Sequence, residues 1–103
     1  MYENNDSQVI EIQNINQKEI ILKKKPEQRN IFGIEIEIAP NTRSNYTVTI
    51  SNNKGVLYET KVKQGKEYIY KSDWYDSICS LSYTPDIQSK DLIKIEYRFL
   101  GKN

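Results

Sequence analysis

Residues 31–38, IFGIEIEI, place Phe32, Ile34, Ile36 and Ile38 on one side of an extended chain and Glu35 and Glu37 on the other. Successive side chains of a strand point to opposite faces, so this pattern describes a strand with one apolar and one solvated face. The same alternation returns along the chain. Tyr46, Val48 and Ile50 alternate with Thr47 and Thr49; Val56, Tyr58, Thr60 and Val62 with Glu59 and Lys61; Ile93, Ile95, Tyr97 and Phe99 with Lys94, Glu96 and Arg98. No stretch holds a 3.6-residue apolar period, so helices are not expected.

Shorter patterns complete the set. Strands are expected over residues 8–13, 19–24, 31–38, 45–51, 56–63, 67–71, 77–83 and 91–100, separated by turn residues. Asn52-Asn53-Lys54-Gly55 reads as a tight hairpin turn, since Asn and Gly tolerate positive φ. Residues 14–18 read as a turn, and residues 1–7 as a polar segment that frays. Gly33 falls on the outer side of its strand, where a bulge or a close backbone approach would use it.

One-faced alternation favours antiparallel pairing, because buried parallel strands are apolar on both faces. Seven or eight short strands in 103 residues indicate one all-β domain over residues 8–103. The expected architecture is an antiparallel two-sheet β-sandwich, immunoglobulin-like or jelly-roll-like. A chain of this length buries roughly two-thirds of its unfolded surface, enough for one core without a disulfide or structural metal.

Composition narrows the chemistry. Fifteen basic residues against 14 acidic ones give no general attraction to nucleic acid or anionic membranes. No run approaches the roughly 20 apolar residues of a membrane-spanning helix. The polar start MYENNDSQ lacks the features of a signal peptide, which points to the cytoplasm if Met1 is the native start. There is no His, so Ser–His and Cys–His pairs cannot form within the chain. No glycine-rich phosphate loop occurs, no cofactor is implied, and Cys79, in phase with Leu81 and Tyr83, reads as an inert buried thiol. The expectation is a non-enzymatic protein. A hydrolase would need two carboxylates facing each other across a cleft.

Asp73, Asp76, Asp86 and Asp91 resemble scattered ligands of a calcium site. Alternating strand direction, however, puts residues 72–76 and 84–91 at opposite ends of strand 77–83, roughly 20 Å apart. No metal site is therefore expected. The same parity brings residues 25–30, 52–55 and 72–76 to one end.

Residues 65–83 hold four of the eight tyrosines with the only Trp and the only Cys. Rings with polar tips serve either as core anchors or as recognition surface. At the shared loop end, Trp74 and Tyr75 with Asp73, Asp76, Lys25, Arg29 and Lys54 form the candidate binding site. The competing orientation folds Trp74 back as a plug whose N–H bonds a loop carbonyl. Tyr68 and Tyr70 are expected inward with Ile69 outside; the converse would expose a tyrosine stacking platform.

The leading functional expectation is a non-catalytic binding module that engages another protein through these loops. The alternative is a carbohydrate-binding domain using exposed aromatic residues. A monomer is expected, with a homodimer paired through edge strand 8–13 as the alternative, since Lys23, Lys24, Lys25 and Pro26 guard the end of strand 19–24.

Overall fold

The computed structural model describes residues 5–13, 18–55 and 57–102, with the side chains of Lys18 and Leu57 left aside. The expected turn at 14–18, the inward Val56 and the first four residues of the expected frayed segment fall wholly or partly outside the described residues. Eight strands are present: β1 (Gln8–Gln13), β2 (Lys18–Lys23), β3 (Ile31–Ile38), β4 (Tyr46–Ser51), β5 (Leu57–Val62), β6 (Tyr68–Asp73), β7 (Ile78–Pro85) and β8 (Leu92–Gly101). No helix occurs among the described residues.

Two four-stranded antiparallel sheets face each other. One has the order β1-β8-β3-β6, the other β2-β7-β4-β5. This is the β-sandwich that the alternation predicts. The inward residues of both sheets meet in one core: Ile34, Ile36 and Ile38 from β3, Ile95 and Phe99 from β8, Val48 and Ile50 from β4, Leu81 and Tyr83 from β7. Burial of such aliphatic and aromatic side chains contributes about 1.5–3 kcal/mol each relative to exposure, before conformational entropy opposes it.

Boundaries shift where pairing continues past the apolar pattern. β6 runs on to Asp73 because Ser72 and Asp73 still pair with Ile34 and Gly33 of β3. β7 reaches Pro85 because Thr84 and Pro85 pair with Thr47 and Tyr46. The register of β3 against β8 shifts between Ile31 and Gly33, a bulge of the kind expected at Gly33. A Cβ at Gly33 would lie 3.2 Å from Leu100 Cδ1 and 3.4 Å from the Ser72 carbonyl oxygen, so both neighbouring strands crowd it. Phe32 is only partly buried after this bulge, and the Lys102 ammonium sits 5.2 Å from its ring centroid.

The β4–β5 hairpin closes as anticipated. Gly55 has φ 81°, its N–H donates to the Asn52 carbonyl at 3.1 Å, and the Asn52 side chain accepts from the Lys54 N–H at 2.9 Å. Two buried polar side chains fasten the sandwich ends. Gln28 donates to the Phe99 carbonyl and to Asn5 Oδ1, which also accepts the Gly101 N–H. At the opposite end Asn41 accepts from the Arg43 and Ser44 N–H groups and donates to the Tyr83 hydroxyl. Neither plug was anticipated from the sequence.

Candidate functional site

The loops carrying the sequence-derived site do share one end of the sandwich. β2 ends there, β4 turns into β5 there, and β6 leaves there for β7. The Lys24 N–H donates to the Ser77 carbonyl at 3.0 Å, tying loop 24–30 to loop 74–77. Asp86 and Asp91 lie at the other end, where Asp91 pairs with Arg43 at 2.9 Å.

Within that end the candidate residues separate. Trp74 takes the plug orientation and is only 5% exposed. Its indole N–H donates to the Ile78 carbonyl at 2.9 Å, and its backbone N–H to the Phe32 carbonyl at 3.1 Å. As an exposed anchor Trp74 is therefore corrected: a large ring beside the open end of an apolar core gains more by covering that core than by facing water. Tyr75, one position on, is 77% exposed. Asp73, Arg29 and Lys54 are exposed, while Asp76 and Lys25 are half-buried. The remaining loop site is thus a single exposed ring among charges.

The tyrosines of the seam form a more built arrangement. β5 and β6 are the edge strands of different sheets, joined by residues 63–67, and they border the same side of the sandwich. Near the connecting turn Val62 and Tyr68 are buried and close the seam. Tyr68 shares a hydrogen bond with Thr60 across it. Farther along the strands the seam opens. Tyr70 is half-buried, and Tyr58 is 52% exposed. Their ring centroids are 6.0 Å apart at an interplanar angle of 45°. Ile69 points outward, as the charges of its neighbours require.

The cleft along this seam has a volume of about 460 Å³, with Thr60, Tyr68 and Tyr70 in its lining and Lys61, Lys63, Lys66 and Glu67 beside them. That is within the range of small-ligand sites, roughly 300–1,000 Å³. Burial pushes the Tyr68 phenol up to about 12, with the neighbouring Tyr70 adding and the Thr60 hydrogen bond opposing. Tyr70 is raised by burial as well, against its hydrogen bond to Ser72. Both stay neutral phenols at physiological pH and offer a hydroxyl with an apolar ring.

Sequence reasoning placed Tyr58 and Tyr70 in the core because their phase is inward. Their partial exposure comes from edge position, which the phase does not report. The short link 63–67 between two inward-facing runs is the signal that would have flagged it, since it joins strands of opposite sheets.

The outer faces are mixed in character. Glu37 and Glu96 stand directly opposite each other on β3 and β8, and Glu35 pairs with Arg98 at 2.7 Å. The two glutamates line shallow depressions of that sheet face together with Glu35, Glu67 and Lys94. Cys79 is fully buried, and its thiol is pushed up to about 12 by burial and then by the Asp76 charge. Among the described residues no group of three or more His, Cys, Asp or Glu side chains has the geometry to hold a metal ion.

No protein-family model matches the chain, and no curated protein matches it in sequence. A solved structure of Pseudomonas aeruginosa AlgX contains a similar arrangement, with a TM-score of 0.49 and 17% identity over 94% of this chain. The match takes in 26% of that chain, so this protein spans about a quarter of its length. Nothing about function follows from a similarity so remote.

Proposed function

We propose that this protein is a non-catalytic binding module that holds a segment of a glycan in the β5–β6 cleft. The observation that carries the reading is the partly exposed Tyr58–Tyr70 ring pair, of which Tyr70 lines that cleft. A sugar ring has an apolar C–H face and a rim of hydroxyls. It is matched by aromatic faces set beside hydroxyl donors and acceptors, which here are the tyrosine phenols with Thr60 and Ser72. The one carboxylate beside the cleft is Glu67, whereas acid/base cleavage of a glycoside needs a pair.

A screen of immobilised oligosaccharides with the folded wild-type protein and Tyr58→Ala tests this. Binding by the wild type, weakened about tenfold or more in the variant at an unchanged Tm, is the expected result, in line with the ~1–3 kcal/mol lost when an exposed stacking ring is removed. Absence of any hit with folded protein would remove the reading.

A second reading, a protein partner at the loop end, is favoured by Tyr75, a highly exposed ring next to Asp76 and two residues from Asp73. Under it, Tyr75→Ala would abolish partner capture and Tyr58→Ala would leave it intact.

A further inference from the structure

Both strands of the sandwich side opposite the cleft, β1 and β2, are edges with no strand beside their outer backbone groups, and on β2 the Lys23 carbonyl accepts from the Gln8 side-chain amide at 3.3 Å. Monomeric proteins protect such edges with internal charges, proline, bulges or a covering segment. β2 carries its lysines at or beyond its ends and has neither proline nor a bulge within it. Its outward side chains are Glu19, Ile21 and Lys23, all exposed, and Ile21 is 47% exposed. Its inward side chains are Ile20, partly buried, and Leu22, fully buried. Ile78 of β7, directly opposite Lys23, adds a second exposed aliphatic on the same outer face.

From this arrangement we infer that β2 is a self-pairing edge: a second copy of the chain adds its own β2, antiparallel, about a twofold axis at Ile21. That register sets Ile21 against Ile21, Glu19 against Lys23, and Lys23 against Glu19 on the outer face. On the inner face it sets Ile20 against Leu22, so the two cores continue into each other. Every side chain of β2 described in the structure meets a complementary one. An isologous contact of this kind closes after two copies. Glu19 is already held upright by the Ser80 hydroxyl at 3.1 Å. Neither Glu19 nor Lys23 has an ion-pair partner among the described residues.

The other edges fit less well. In β1 the symmetric registers put Glu11 against itself, against Val9 or against Gln13, and none pairs opposite charges. In β6 they put Lys71 against itself, against Ile69 or against Asp73, and only the last pairs opposite charges. β5 aligns Glu59 with Lys61, but the inward side chains at that edge are the exposed Tyr58 and Thr60 of the cleft. Pairing through β2 joins the two β2-β7-β4-β5 sheets into one of eight strands and leaves a cleft free at each far edge. Two clefts on one particle would engage a repeating ligand with avidity.

The test is sedimentation velocity of the full chain from micromolar to millimolar concentration. The wild type is expected to shift from monomer to dimer, with added salt weakening the association. Glu19→Lys alone and Lys23→Glu alone each place like charges opposite each other and should raise the dimer dissociation constant by about tenfold or more. The double variant E19K/K23E restores both pairs and should regain the wild-type constant. Ile21→Lys should abolish the dimer, and Val9→Lys on β1 should not affect it. All four substituted positions are exposed, and circular dichroism confirms that each of the five variants is folded. A wild type that stays monomeric throughout overturns the inference. So does a dimer indifferent to Ile21→Lys, or a double variant no better than the single ones.

Discussion

The Trp74 indole N–H donates to the carbonyl of Ile78 at 2.9 Å, so the first residue of loop 74–77 is bonded to the first residue of β7. A side chain thereby closes the crossing from one sheet to the other and covers the core at that end.

Removing this plug should be costly. Trp74→Ala deletes a buried indole and leaves the Ile78 carbonyl without its partner, and changes of that kind typically cost ~3–5 kcal/mol. Urea unfolding should show a large drop in midpoint. An unchanged midpoint would mean that the ring contributes nothing to the core. Since the chain has one Trp, native emission should be blue-shifted and move red in parallel with unfolding.

How far the sequence foretold this architecture differs from element to element. The two-residue period in β3, β4 and β8 foretold both their strands and their inward faces, because phase alone decides which side chains are buried in a central strand. Strand parity also placed residues 25–30, 52–55 and 72–76 at one end, since hairpins and sheet crossings both reverse direction here. Phase was silent on two matters. It does not distinguish an edge strand from a central one, so Tyr58 reads like Ile50 although only Ile50 is sealed. Nor does it orient a residue in a loop, so both an exposed Trp74 and a plug fit the sequence, and the bond to the Ile78 carbonyl at 2.9 Å decides for the plug. Gln28 and Asn41 were invisible for a related reason: a polar residue in a loop becomes a plug only through partners distant in sequence.

Alkaline pH should unfold the protein through its tyrosines. Tyr68 titrates at about 12 in the folded chain, against 10.0 for an unperturbed phenol, because burial disfavours the phenolate. Above pH 10 the unfolded state loses the proton while the folded state keeps it, so the unfolded state gains. Stability from this group is complete below pH 10 and is lost progressively as pH rises towards 12. Tyr46 and Tyr83, also raised by burial, act in the same direction. Tyrosinate absorbance from the core phenols should therefore appear together with loss of the β-sheet circular dichroism signal. A single smooth stage at about 10 would contradict the buried assignments.

Cys79 should be chemically silent in the native protein. It is fully buried, and its thiol is held near 12 by burial, with the Asp76 charge adding to the effect. Thiolate is the reactive form, so an aromatic disulfide reagent at neutral pH should label Cys79 only as fast as the sandwich opens. Added urea should accelerate labelling in step with unfolding. Immediate labelling of folded protein would place the thiol on the surface.

Where a ligand sits is decided most directly by following every backbone amide while an oligosaccharide from the screen is titrated in. The account predicts that chemical-shift changes concentrate on residues 58–60 and 68–72, saturate together, and disappear with Tyr58→Ala. Shifts concentrated on residues 25–30 and 73–76, with the β5–β6 cleft unmoved, would contradict it.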